Sequence, residues 1–289
     1  MALWCRCRKS RFELSRAPRL LLRCWPAFAR GALRCCAVWL MCLAGAPSAF
    51  AEYATACADG DGAYILRVCL VDVPGPVRYG HGVLGSVPEW DELSVEWGPT
   101  KPDALAHRTE TVVLKPSHVY EDIAPRVVDL DRDRKPEIVV VQSSYTRGAR
   151  LVVYVIDGAS GGLVEVATPY IGQRYRWLAP AAIGDLDQDG QVELAYVDRP
   201  HLAKVLRVWR YEDGALHPVA DAPGLTNHRI GDAFIEGGLR NCAGYPEILT
   251  ADVDWRNIIA SRLVDGKIAR EPIGPYSKSA MVRAMTCGG

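Results

Sequence analysis

The run Asp185-Leu186-Asp187-Gln188-Asp189-Gly190-Gln191-Val192-Glu193 carries carboxylates at three alternate positions, then a glycine, then a fourth carboxylate. Alternate Asp side chains aim into one concavity, and Gly190 permits the sharp turn. The carbonyl of Gln191 adds an oxygen, and Glu193 closes the loop at its ninth position. This donor set suits Ca²⁺, which takes about six to eight oxygens in a flexible loop. An EF-hand closes at its twelfth position and continues as a helix; here strand-forming residues follow at once. A second run repeats the carboxylates as Asp129, Asp131, Asp133 and Glu137. There Arg134 replaces the glycine and Arg132 adds positive charge, which opposes a divalent cation and strains the turn. The Asp185–Glu193 loop is therefore the better calcium candidate. The alternative chemistry for both is an Asp-rich turn whose side chains bond their own backbone amides.

These loops must be held by something that repeats. Asp129 to Asp185 is 56 positions, as is Glu137 to Glu193, and a degenerate third unit surrounds Glu247, 54 positions later. Val87-Pro88-Glu89-Trp90 reads as a more eroded copy upstream. Each unit reads as four short strands rich in Val, Ile, Leu and Tyr. The first set is Pro125–Asp129, Glu137–Gln142, Arg150–Ile156 and Leu163–Ala167. The second is Ala181–Gly184, Glu193–Val197, Lys204–Tyr211 and Leu216–Val219. Asp157-Gly158, Asp213-Gly214 and Asp265-Gly266 recur late in three units as hairpin signals. A short helical turn is expected near Ser277–Met285. One four-stranded unit cannot bury both its faces alone, so the repeat predicts an all-β fold: a small β-propeller of about four to five four-stranded blades. A two-sheet sandwich would not bring the acidic loop back at the same place in each unit.

The segments Asp185–Leu194 and Asp129–Ile138 resemble the FG-GAP/VCBS repeats of secreted bacterial proteins, related to the propeller of integrin α chains. The resemblance covers roughly 120–270 well and 64–118 weakly. It implies structural calcium on the loop between the first two strands of a blade, opposite the ligand-binding loops.

Loops leading into each unit hold polar and aromatic groups. If they gather at one end of the axis, His81, Glu121, Arg176, Trp177, His228 and Arg229 are the candidate ligand-binding residues. Arg and Trp are frequent in recognition sites, and His beside Glu can move protons or hold a metal. The competing reading is that these groups pair with one another and hold the blades together. The sequence contains no H-E-x-x-H zinc motif and no phosphate-binding Gly-rich loop.

The chain has 34 basic and 34 acidic residues. Residues 1–51 hold nine of the basic and one of the acidic, which leaves residues 52–289 with a net charge of −8. An acidic body excludes nucleic acid as the expected partner. Residues 1–51 read as a signal peptide: an Arg-rich stretch to Arg34, an apolar run from Cys35 to Ala46, and an Ala49-Phe50-Ala51 cleavage pattern. The run is too short to span about 30 Å of hydrocarbon comfortably, so no permanent membrane anchor is expected after cleavage. Residues 52–289 then form the propeller, in the periplasm or outside the cell. They keep four cysteines, Cys57, Cys69, Cys242 and Cys287, which allow three pairings in an oxidising compartment. Cys57–Cys69 and Cys242–Cys287 are favoured, the first closing a short loop and the second tying the chain end to the last unit. The function expected is non-catalytic binding or adhesion toward a protein or glycan. The alternatives are a hydrolase or lyase acting on a carbohydrate at the central opening, and a structural subunit of a larger envelope complex.

Overall fold

The computed structural model describes residues 54–98 and 108–288; the expected signal peptide lies outside them. The described residues form four antiparallel sheets, each a meander in chain order. The first blade is β1 (Thr55–Asp59), β2 (Ile65–Val71), β3 (Glu92–Trp97) and β4 (Arg108–Val113). The second has a split inner strand, β5 (His118–Tyr120) and β6 (Arg126–Val128), then β7 (Glu137–Ser144), β8 (Gly148–Ile156) and β9 (Leu163–Ala167). The third is β10 (Leu178–Gly184), β11 (Glu193–Asp198), β12 (Val205–Glu212) and β13 (Ala215–Pro223). The fourth again splits its inner strand, into β14 (Leu225–Thr226) and β15 (Gly238–Asn241). It continues with β16 (Pro246–Asp252), β17 (Asn257–Val264) and β18 (Lys267–Pro275). A helix, α1 (Lys278–Met285), follows, capped by Ser277, whose Oγ accepts from the Ala280 N–H. The structure is thus a small all-β propeller, with four blades among the described residues.

Burial explains the strand compositions. β7 and β11 are buried at every position and β16 at all but its last. Strands covered on both faces read as continuous apolar runs rather than alternating ones. The fourth strand β18 is largely exposed, and β9 is half-buried to exposed along its length. Core clusters form between neighbouring blades: first with second, second with third, third with fourth. The far face of the fourth blade is covered by α1, where Met281 packs on Leu249, Ile258 and Ala260. The Asp213-Gly214 and Asp265-Gly266 turns both have positive φ at each residue, the geometry of two-residue hairpins. Asp157-Gly158 belongs instead to a longer loop between β8 and β9, closed by the Asp157 N–H bonding Gly162 O at 2.9 Å.

Both favoured disulfides are present. Cys57–Cys69 joins directly opposed residues of β1 and β2. Cys242–Cys287 ties the segment just past α1 to the loop after β15. They brace the first and last blades.

The structure moves the sequence reading at two points. The first blade begins at β1, so Tyr79–His81 and Val87–Trp90 lie inside it, on the connection between β2 and β3. The topological equivalent of the acidic loops is the β1–β2 connection, with Asp59 and Asp61. It has too few residues for the full motif, and Asp61 Oδ1 accepts from the N–H groups of Ala63, Tyr64 and Ile65. Second, the β2–β3 connection is a plug. Val83 and Leu84 are buried against residues of β7, β8, β10 and β11. Trp90 pairs with Tyr120 through two backbone bonds, and the Gly231 N–H donates to Val83 O at 2.9 Å, linking the first blade to the fourth.

Candidate functional site

The acidic loops of the second and third blades are copies of one backbone arrangement. The Leu130 N–H donates to Glu137 at 2.7 Å and the Leu186 N–H to Glu193 at 2.8 Å. The N–H groups of Arg134 and Gly190 donate to Asp129 Oδ2 and Asp185 Oδ2, each at 3.1 Å. Arg134 adopts the left-handed φ of 68° that its position demands, where Gly190 has 96°. The turn therefore survives without glycine, at a cost of roughly 1–2 kcal/mol. Carboxylate oxygens of Asp129, Asp131 and Glu137 lie within 4.8 Å of one another, as do those of Asp185, Asp187 and Glu193. Asp133 and Asp189 stay outside these groups. Asp133 pairs with Lys135 at 3.0 Å, and Asp189 accepts from the Gln191 N–H at 2.8 Å. Gln191 is thus engaged through its N–H.

The two loops differ in how their charge is met. Arg210 on β12 stands opposite Glu193 in the strand register. Its Nε donates to Glu193 Oε1 at 2.6 Å, and its other nitrogens reach Asp187 at 3.2 Å and Asp189 at 2.9 Å. Arg132 does not face its own loop: its guanidinium crosses to Asp185 Oδ2 at 3.0 Å. Its repeat equivalent Gln188 likewise reaches forward, to Gly244 O at 3.1 Å. The third-blade loop therefore already holds two guanidinium groups. The second-blade loop does not, because the matching end of β8 is Leu151–Ile156, with no basic residue.

The consequence falls on one glutamate. Glu137, Glu193 and Glu247 occupy equivalent places and are all buried. Glu247 is held by Arg240, with Nε at 2.8 Å and Nη2 at 2.7 Å. Glu193 is held by Arg210. Among the described residues, Glu137 has no basic partner. Burial, with Asp131, Asp129 and Asp133 adding to it against the Leu130 N–H, pushes its carboxyl up to about 7. Asp129 Oδ1 is buried without a hydrogen-bond partner. An orphaned oxygen beside an uncompensated buried carboxylate fits a divalent cation. Asp185 Oδ1 is likewise unpartnered, but its neighbours are committed to Arg210. Both clusters bring three carboxylates together as a metal site would, and they differ in whether arginine already meets that charge.

The second candidate region lies at the opposite ends of the inner strands. His81 Nδ1 is 2.7 Å from Glu121 Oε1, and Ser143 Oγ donates to the other carboxylate oxygen. The Trp177 indole N–H donates to Glu121 O at 2.9 Å, and its ring meets His228 edge-on at 4.9 Å. His81, Glu121, Trp177 and His228 therefore form one contiguous chain, buried except at the half-buried His81. Glu121 is 1% exposed, and burial raises its carboxyl while the His81 hydrogen bond opposes that rise. Arg229 sits elsewhere, its guanidinium 3.6 Å over the Trp255 ring and bonded to Tyr276. Arg176 precedes β10, where its carbonyl accepts from the Ala149 N–H at 2.8 Å. Glu89 accepts from the N–H groups of Gly80, His81 and Gly82, fixing the loop that inserts Val83 and Leu84 among residues of the second and third blades.

Sequence reasoning missed Arg210, Glu89 and His201. His201 bonds His228 at 3.1 Å, and burial lowers it to about 4. One further pattern, Gly158-Ala159-Ser160-Gly161-Gly162, has nucleophile-elbow spacing. It lies in the turn between two antiparallel strands rather than between strand and helix. The Ser160 Oγ accepts from the Gly162 N–H at 3.2 Å.

Residues 129–196 match the family model of the FG-GAP-like repeat. The matched span runs from the first acidic loop through the second and into β11. No curated protein matches the chain.

Proposed function

We propose that this chain is an exported, non-catalytic binding propeller braced by one structural calcium ion on the Asp129–Glu137 loop. The observation that carries the reading is the unpartnered, buried Asp129 Oδ1 beside Asp131 and the uncompensated Glu137. A bound Ca²⁺ would complete the charge balance that arginines supply in the third and fourth blades. Asp129, Asp131 and Glu137 would supply its protein ligands. The two disulfides support an oxidising destination. His81, half-buried and itself part of the plug, is engaged with the buried Glu121, which supports a scaffold role for the pair in place of proton transfer.

The test is calorimetric melting of the folded chain with excess calcium and with chelator. Calcium should raise the wild-type melting temperature by several degrees, since saturation at about 100 times Kd adds roughly 2.7 kcal/mol. Asp129→Asn should abolish the rise. A rise that persists in Asp129→Asn would remove calcium from this loop.

A further inference from the structure

A cleft of about 430 Å³ lies on the flank of the molecule, between the end of β4 and the outer part of the second blade. It takes in none of the candidate site residues described above. Its charge runs against the rest of the chain. Lys115, Arg147 and Arg150 line it with a single carboxylate, Glu165, whereas residues 52–289 carry a net −8. Burial disfavours the charged form of His118 first, and Arg150, Arg147 and Lys115 disfavour it further.

The groups differ in how far they are already committed. Arg150 is spent: its Nε and Nη2 donate to the buried Gln142 Oε1 at 2.9 and 2.6 Å, and Nη2 also reaches Glu165. Arg150 thereby fixes the floor of the cleft. Tyr170 is fixed too, its hydroxyl 3.0 Å from His118 Nε2 and 3.3 Å from Gln142 Oε1. Lys115 and Arg147 are exposed, and neither has a carboxylate partner among the described residues. Arg147 rests 3.9 Å over the Tyr170 ring centroid, which orients its guanidinium without neutralising it. Among the described residues the rim therefore offers two cations without a carboxylate partner, and the wall offers the apolar edge of Val112–Leu114 beside the fixed polar groups. The volume is in the range of small-molecule sites and far exceeds a single inorganic anion. Oriented cations with hydrogen-bonding groups and a short apolar wall match a sugar ring bearing an acidic substituent.

We propose that this cleft binds an anionic sugar residue, its acidic group held by Arg147 and Lys115. The proposal rests on the reading of the chain as a binding module and is independent of calcium. Its test is titration calorimetry in chelator on the full folded chain, so that failure of the calcium brace cannot imitate failure of the cleft. The probes are a hexuronate tetrasaccharide, a sulfated tetrasaccharide, an uncharged tetrasaccharide and inorganic sulfate. At least one acidic saccharide should bind at least tenfold more tightly than the uncharged one, with affinity falling as salt rises; which of the two does so identifies a carboxylate or a sulfate ester as the group read. The double variant Lys115→Met/Arg147→Met alters only exposed side chains. It should melt as the wild type does and lose at least tenfold in that affinity. Equal binding of the uncharged saccharide, binding of inorganic sulfate as tight as that of the saccharides, unchanged affinity in the double variant, or no binding of any probe would each overturn it.

Discussion

Replacing Arg210 by Met separates the two ways of neutralising an acidic loop. The substitution keeps much of the apolar stem and removes the guanidinium. Glu193, which is fully buried, is then left with the Leu186 N–H alone, and Asp187 and Asp189 lose their shared partner. Breaking a buried pair by deleting one member costs roughly 3–5 kcal/mol. Arg210 is 16% exposed, so water screens part of the effect and the expected loss is about 3 kcal/mol. The loop, with Arg132 still on Asp185 Oδ2, then presents Asp185, Asp187 and Glu193 in the arrangement of Asp129, Asp131 and Glu137. Calcium should enter it and restore roughly 2–3 kcal/mol at saturating concentration. Urea unfolding of wild type and variant, each in chelator and in excess calcium, reads both quantities. The gap between the proteins should be about 3 kcal/mol in chelator and about 1 kcal/mol or less in calcium. An equal gap under both conditions would refute the idea that the guanidinium stands in for a cation. A gap below about 0.5 kcal/mol in chelator would refute its role in compensating Glu193.

Two further outcomes follow from the fold. Chain-entropy estimates give about 4 kcal/mol for the Cys242–Cys287 bridge and about 3 kcal/mol for Cys57–Cys69; paired Cys→Ser variants should fall in that order in denaturant unfolding, with helical circular dichroism lost only in the first. His201 supplies a pH dependence, because burial holds it at about 4 when folded against about 6.5 when unfolded. Between those values the unfolded chain binds the extra proton, so stability falls as pH drops from 6.5 to 4. The loss should be on the order of 2 kcal/mol after allowance for partial exposure of the ring. His201→Gln should flatten that part of the stability profile, and an unchanged slope would assign it to other groups.

Much of the scaffold could be read from residue types. The strands of the second and third blades follow from runs such as Glu137–Gln142 and Lys204–Tyr211, and the disulfides from four cysteines in compatible places. The 56-residue spacing works because each acidic loop joins the same two strands of a blade. What escaped was the information carried by register and long-range packing. A lone Arg210 on an amphipathic strand reads as a solvated charge, and only its position opposite Glu193 makes it a counter-ion. Arg132 likewise reads as an obstacle to its own loop, whereas its side chain serves the next one. The plug has no hydrophobic period, so Val83 and Leu84 look like loop residues until the blades close around them. That same connection carries His81 to the buried Glu121, a contact that the sequence spacing of 40 residues does not show.

The most direct test of the account is a crystal structure of the protein grown with calcium, with anomalous scattering used to place the ion. The account predicts one strong peak, at the Asp129–Glu137 loop within ligand distance of Asp129 Oδ1, and Arg210 still bonded to Glu193. A peak at the Asp185–Glu193 loop with Arg210 displaced, or no peak at either loop, would contradict it.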